Sequence, residues 1–166
     1  MKTLFIGGVK SGKSRLAERY ILDNCGQQYK PYYLATTEFL DDEMRSRIAV
    51  HQQRRQDSFV TLEEPLYLLR VLAACQLPVL VECVSMSLNN ALYHQWSEAA
   101  ILRELAAVMQ LPVDLVLVHN EVGQGIIPDN VLARQFVDLS GKAAQLMASY
   151  CDTVFFCSAG LQLRMK

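Results

Sequence analysis

Gly7-Gly8-Val9-Lys10-Ser11-Gly12-Lys13-Ser14 follows the apolar run Thr3-Leu4-Phe5-Ile6 and leads into Arg15-Leu16-Ala17-Glu18. Gly7, Gly12, Lys13 and Ser14 match the pattern GxxxxGK[ST]. The spacing has a chemical reason. Glycines let the backbone curl until several N–H groups face a phosphate. The positive end of the following helix adds to their field. A lysine at this spacing reaches the β- and γ-phosphates, and the next hydroxyl can ligate Mg²⁺. The flanking context is also right: a buried strand before the loop and an amphipathic helix after it. The stretch therefore reads as a P-loop, and the chain as a nucleotide-binding protein. Lys10 and Ser11 lie inside the loop, and Lys10 either adds charge at the phosphates or stays solvated.

Outward from the loop, the helix is expected from Lys13 to Asn24, with Leu16, Tyr20 and Ile21 on one face. Cys25-Gly26 ends it. Pro31 to Ala35 reads as a strand, and Thr36-Thr37-Glu38 as a loop. Asp41-Asp42 can cap a helix over about Glu43 to Arg55. Phe59-Val60-Thr61 is a short extended piece. A helix is expected from Pro65 to Cys75, with proline in its first turn. Pro78 to Glu82 and Val113 to Val118 read as buried strands, with a helix over 97–110 between them. Asn130 to Tyr150 is helical, with an interruption expected near Gly141. Thr153 to Cys157 is a further core strand, and Leu161 to Met165 a short edge strand. Strands alternating with helices imply an α/β fold with a mostly parallel sheet flanked by helices. No linker or repeat divides the chain, so residues 1–166 are expected to form a single domain.

Composition narrows the function classes. The chain has 166 residues, 51% hydrophobic and 20% charged, with a formal net charge of −1. That balance gives no global basic field for nucleic acid. The N-terminal apolar run is too short for a signal-peptide core, and no stretch nears about 18 apolar residues. A cytoplasmic protein without a membrane span is expected. The five cysteines, Cys25, Cys75, Cys83, Cys151 and Cys157, show no CxxC spacing. They read as small buried thiols of a reducing compartment. No His/Cys cluster suggests structural zinc. His119 reads as a structural histidine, His94 as a surface residue and Trp96 as packing.

A P-loop needs an acid to help hold Mg²⁺, usually at the end of a neighbouring strand. Glu82 is the first choice and Glu121 the second, since both end apolar runs. A second constellation surrounds His51. Arg47 and Arg54-Arg55 fall three or four residues on either side of it, so a helix brings them near one another. The cluster would suit an anionic phosphate and favour a neutral, nucleophilic imidazole. A solvated charged helix with an incidental histidine fits the same spacing.

Longer stretches carry a resemblance. They are the P-loop octet, Tyr33-Leu34-Ala35-Thr36-Thr37, Asp41-Asp42-Glu43-Met44 through Arg47-Ile48 to His51, Thr61-Leu62-Glu63, and Glu82-Cys83-Val84-Ser85. The most telling is Asn120-Glu121-Val122-Gly123-Gln124-Gly125-Ile126-Ile127-Pro128, followed by Asn130 and Leu132-Ala133-Arg134. Over nearly its whole length the chain resembles the bifunctional adenosylcobinamide kinase / adenosylcobinamide-phosphate guanylyltransferase family of cobalamin biosynthesis.

The resemblance implies two reactions. ATP or GTP phosphorylates the aminopropanol hydroxyl of adenosylcobinamide, and GTP then guanylylates a histidine with loss of pyrophosphate. The phosphorylated corrinoid accepts the GMP to give adenosylcobinamide-GDP. His51 matches the nucleophile, and Lys13 is the second catalytic residue. Nucleotide contacts would fall on Gly7, Gly8, Val9, Lys10, Ser11, Gly12, Lys13 and Ser14, on Ala35, Thr36 and Thr37, on Gln52, Gln53, Arg54 and Arg55, and on Glu63 and Glu82. Ser14 and Glu82 would hold Mg²⁺. Glu63 could accept from the guanine N1–H and exocyclic amine, an inference from acid chemistry. The resemblance also implies a RecA-like sheet and a homotrimer. The chain departs from the family pattern at several places. Lys10 stands for arginine, Glu82 for a frequent aspartate, Ser85 for threonine, Ser87 for tryptophan and Ala144 for asparagine. Competing readings are a monofunctional guanylyltransferase, another small-molecule P-loop kinase, or a non-catalytic nucleotide sensor. A simple kinase needs no nucleophilic histidine, so His51 separates them.

Overall fold

The computed structural model describes residues 1–26, 28–38 and 58–166. The elements in chain order are β1 (Lys2–Gly7), α1 (Lys13–Asn24), β2 (Tyr32–Ala35), β3 (Val60–Glu63), α2 (Leu68–Leu72) and β4 (Val79–Glu82). They continue with α3 (Val84–Tyr93), α4 (Glu98–Gln110), β5 (Leu115–Asn120), α5 (Val131–Tyr150), β6 (Thr153–Ser158) and β7 (Leu161–Arg164). The strands form one seven-stranded sheet in the order β3-β2-β4-β5-β1-β6-β7. All neighbours are parallel except β6 and β7, which form an antiparallel pair at one edge. The expected α/β class, a mostly parallel sheet flanked by helices, holds.

Period-two alternation sorts the strand residues between two faces. Val79 and Val81 of β4, Leu115 and Leu117 of β5, and Leu4 of β1 pack into one cluster with Leu72, Leu88, Leu105, Leu139 and Met147. Leu80, Val116, Val118, Phe5 and Phe155 face the other side, where Ala17 and Ile21 of α1 cover them. A fully buried leucine contributes roughly 1.5–3 kcal/mol of hydrophobic free energy. Phe5, Tyr20 and Phe155 add a ring cluster with centroids 4.9–5.8 Å apart.

The structure departs from the sequence reading in four places. The helix expected over Pro65–Cys75 contracts to Leu68–Leu72. The Glu64 carboxylate accepts from the Leu66 and Tyr67 N–H groups and folds that stretch into a turn before the helix begins. Helix α3 was not expected. Its inner face carries buried Ser85, Ser87 and Asn90 among the apolar residues, which breaks the hydrophobic pattern. Helix α5 runs through Gly141 without interruption. Of the cysteines only Cys151 and Cys157 are buried, although all five are free thiols.

A parallel sheet places the C-terminal ends of β1 to β5 along one rim. The P-loop follows β1 there, Thr36 follows β2, Glu63 and Glu82 end β3 and β4, and Asn120 ends β5.

Candidate nucleotide site

The P-loop is braced from two sides. A Cβ on Gly7 would lie 2.3 Å from the Cys157 carbonyl oxygen, so only glycine lets β1 and β6 pair at this point. Gly12 has φ +92°, and a Cβ there would meet Gly160 Cα at 2.9 Å. The β6–β7 turn therefore sits against the loop, and the Gly160 N–H donates to the Ser11 carbonyl at 2.9 Å. Lys10 also adopts a left-handed conformation, φ 58°, which is uncommon for a residue with a Cβ.

Helix α1 has no side-chain cap at Gly12 and no acidic residue in its first turn. Helices α4 and α5, by contrast, are capped by Ser97 and Asn130, whose side chains accept from Ala100 N and Ala133 N. The free first-turn N–H groups of α1 suit an anion. Lys13 is buried, and its Nζ donates to the Gly8 carbonyl at 3.0 Å, across the loop.

The Ser14 hydroxyl donates to Glu82 Oε1 at 2.8 Å. A hydroxyl and a carboxylate oxygen, meeting at the mouth of an anion-binding loop, are the hard donors that Mg²⁺ takes. The residues present thus fit the cation, and Glu82 is the acid that faces Ser14. Glu121 is used differently: its Oε1 accepts from Gly123 N–H at 2.6 Å. No group of three or more His, Cys, Asp or Glu suited to a metal occurs among the described residues.

Beyond Glu82 the rim is tied together by hydrogen bonds. The Thr36 N–H donates to the Glu82 carbonyl at 3.1 Å. The buried Thr36 hydroxyl donates to the Cys83 carbonyl at 2.8 Å and accepts from Cys83 N–H at 3.0 Å. The Asn120 N–H donates to Ser85 Oγ at 2.9 Å. Ala35 and Thr37 flank Thr36, and exposed Glu63 lies beside Ala35 in register. Next to it, Glu64 is buried and paired with Arg70 at 2.7 Å. Burial pushes the Glu64 carboxyl up, but the N–H groups of Tyr67 and Leu66 and the Arg70 guanidinium outweigh it and hold the group below its usual range.

His51, Gln52, Gln53, Arg54 and Arg55, with the helix expected around them, lie outside the described residues. The other two histidines are placed. His119 is 1% exposed, with Nε2 2.9 Å from Ser140 Oγ and Nδ1 without a partner among the described residues. Burial, with help from the Lys13 charge, lowers its pKa to about 4, so the ring is neutral. His94 lies on the surface, as expected, but its Nε2 meets Glu38 at 2.8 Å. Sequence reasoning missed Glu64, Asn90 and Ser140, because a polar residue that is buried only through the tertiary fold carries no motif. Four of the thiols are poor nucleophiles: loss of solvent raises the pKa values of half-buried Cys75 and Cys83 and of buried Cys157, and takes Cys151 to about 12.

Over residues 3–165 the chain matches the family described as cobinamide kinase / cobinamide phosphate guanyltransferase. It belongs to this family. Across its whole length it is 36% identical over 185 residues to the bifunctional adenosylcobalamin biosynthesis protein CobU of Salmonella typhimurium, which it covers completely. It is 38% identical over 172 residues to the corresponding CobP of Pseudomonas aeruginosa, covering 98% of that protein. Solved structures with the same fold include a KaiC-like protein, PH0186, from Pyrococcus horikoshii and the flagellar accessory protein FlaH from Methanocaldococcus jannaschii. The first has a TM-score of 0.53 at 15% identity, with 93% of this chain and 69% of that one covered. The second has a TM-score of 0.53 at 11% identity, with 99% and 77% covered. Those two likenesses concern the fold. Among the described residues no helix is long and apolar enough to cross a membrane.

Proposed function

We propose that this protein carries out both reactions of its family. In the first, a nucleoside triphosphate phosphorylates the aminopropanol hydroxyl of adenosylcobinamide. In the second, GTP gives its GMP to His51 and then to adenosylcobinamide phosphate, forming adenosylcobinamide-GDP. The observation that carries the reading is the Ser14–Glu82 contact of 2.8 Å at the open N-terminus of α1. It joins a cation-ready pair to an anion-ready helix end, which is what a triphosphate requires.

The chain's own residues divide the work. Backbone N–H groups of the loop 7–14 and the first turn of α1 hold phosphate oxygens. The Lys13 ammonium exchanges the Gly8 carbonyl for the β- and γ-phosphates. Ser14 and Glu82 would hold Mg²⁺, which when bound neutralises charge on the phosphates. Ala35, Thr36 and Thr37 bound the nucleoside side of the rim, and Glu63 accepts from the guanine edge. In the transfer step the His51 imidazole attacks the α-phosphorus, the bond to the β-phosphate oxygen breaks, and pyrophosphate leaves. The corrinoid phosphate then displaces the imidazole. Splitting one displacement into two is the gain of a covalent intermediate. Arg54, Arg55, Gln52 and Gln53 would steady the phosphates around His51. A cytoplasmic homotrimer is the assembly that goes with this reading.

Protein incubated with Mg²⁺ and GTP labelled on the α-phosphate tests the transfer. The expected result is an acid-labile, base-stable label on the wild type that is absent from His51→Ala. An unlabelled wild type that still binds GTP would remove the transferase step and leave a kinase or a nucleotide sensor.

A further inference from the structure

Asn90 lies on the inner face of α3 and is fully buried. Its Nδ2 donates to two backbone carbonyls: Thr36 at 2.8 Å and Pro65 at 2.9 Å. Both amide hydrogens are thus used, and the orientation of the amide is fixed by chemistry, since a rotated Oδ1 would face two acceptors. The Oδ1 itself is buried with no partner among the described residues. An acceptor left without a partner is a cost.

The two carbonyls belong to different loops. Thr36 lies in the loop after β2, between Ala35 and Thr37. Pro65 lies two residues after Glu63, in the loop after β3. Strands β2 and β3 pair only up to Ala35 and Glu63. Past that point the Glu64 N–H still reaches the Ala35 carbonyl at 3.0 Å, and the Asn90 amide then spans the two loops. A second contact from the C-terminal end of α3 reaches the same segment, where His94 meets Glu38. Ser85, near the start of α3, accepts from Asn120 N–H. One helix therefore fixes the ends of three strands through three polar side chains.

We propose that Asn90 is a positioning residue for nucleoside recognition. Its amide sets the separation of the loop carrying Thr36 and Thr37 from the loop that follows Glu63, so that the two close on the base and sugar while the P-loop holds the phosphates. The inference rests on the proposed placing of the nucleoside against Thr37 and Glu63. It predicts that Asn90 acts on the nucleoside half of the ligand alone, because the P-loop is braced independently by β6 and Gly160.

The test compares binding of GTP and of inorganic tripolyphosphate, both with Mg²⁺, to four proteins: wild type, Asn90→Leu, Asn90→Ser and Leu105→Val. Asn90→Leu removes both donors at nearly constant volume, and Asn90→Ser keeps one short donor should the leucine variant not fold. Leu105→Val is a core change away from the rim that lowers melting temperature alone. In Asn90→Ser the dissociation constant for GTP should rise about tenfold, corresponding to about 1.4 kcal/mol. The constant for tripolyphosphate should stay within about twofold, and Leu105→Val should move neither. An equal weakening of both ligands, or an unchanged GTP constant, would overturn the role of Asn90. A wild type that binds GTP no more tightly than tripolyphosphate would instead overturn the nucleoside reading on which the proposal stands.

Discussion

The His119 ring is held neutral by burial, with the Lys13 ammonium also opposing its protonation. The consequence is a definite pH dependence. In the unfolded chain the ring titrates near 6.5, and in the folded protein at about 4. Between those values the unfolded state binds more protons, so acidification favours unfolding. The stability that His119 contributes is complete above pH 6.5 and is lost as pH falls toward 4, an order of 3 kcal/mol at full effect. Urea midpoints measured from pH 7.5 to 4.5 should fall more steeply in the wild type than in His119→Gln. Parallel curves would show that the imidazole does not titrate in this window. At this scale the sequence was legible where chemistry needs a fixed spacing. Lys13, Ser14 and Glu82 are named by the pattern because a triphosphate and its cation would require those types at strand and loop ends, and the fold brings Ser14 and Glu82 to 2.8 Å. Asn90, Glu64 and Ser140 are not, since the groups they bond, near in the chain for Glu64 and distant for Asn90 and Ser140, follow no spacing rule.

Elements show the same division between local and distant causes. Helix α1 has the limits the sequence predicts, because the P-loop starts it and Cys25-Gly26 stops it, Gly26 having φ +76°. Helix α2 is shorter than the sequence predicts, because the turn ahead of it is made by the buried Glu64 carboxylate and no pattern in 65–75 reveals that acceptor. Helix α3 is hard to see in the sequence although Val84, Leu88, Ala91 and Leu92 recur at helical spacing. Its buried serines and Asn90 serve the rim, so polarity masks a face that is truly inward. The sequence predicts a break at Gly141, yet α5 passes through it with right-handed geometry. A Cβ there meets nothing within 4 Å, and the residue is exposed. An alanine should therefore remove only the entropic cost of glycine. Gly141→Ala is expected to stabilise the protein by about 0.5–1 kcal/mol, read as a higher denaturant midpoint with unchanged slope. A lower midpoint would mean that α5 needs the freedom of glycine, for example to bend.

At the scale of the whole molecule, parallel pairing is what turns scattered residues into one site. Positions 7–14, 35–37, 63, 82 and 120 are far apart in the chain but share a rim, because β1 to β5 all point the same way. Alternation of strand and helix made this legible, while strand order, which depends on long-range packing, was not. The proposed site also links ligand to stability, since a nucleotide bound across several strand ends would meet the folded chain alone. At a ligand concentration of 100 times the dissociation constant the gain is about 2.7 kcal/mol. For a chain of this length each kcal/mol moves the melting temperature by about 2–4 °C, so Mg²⁺ and GTP together should raise it by roughly 5–10 °C. Chelation should take back part of the shift by removing the cation proposed for the Ser14–Glu82 pair, and Lys13→Ala should abolish most of it. His51→Ala should keep it, because His51 is proposed to act after binding. A loss in His51→Ala equal to that in Lys13→Ala would make His51 part of the binding surface itself. It would then no longer be separable, by stability, from the residues of the P-loop.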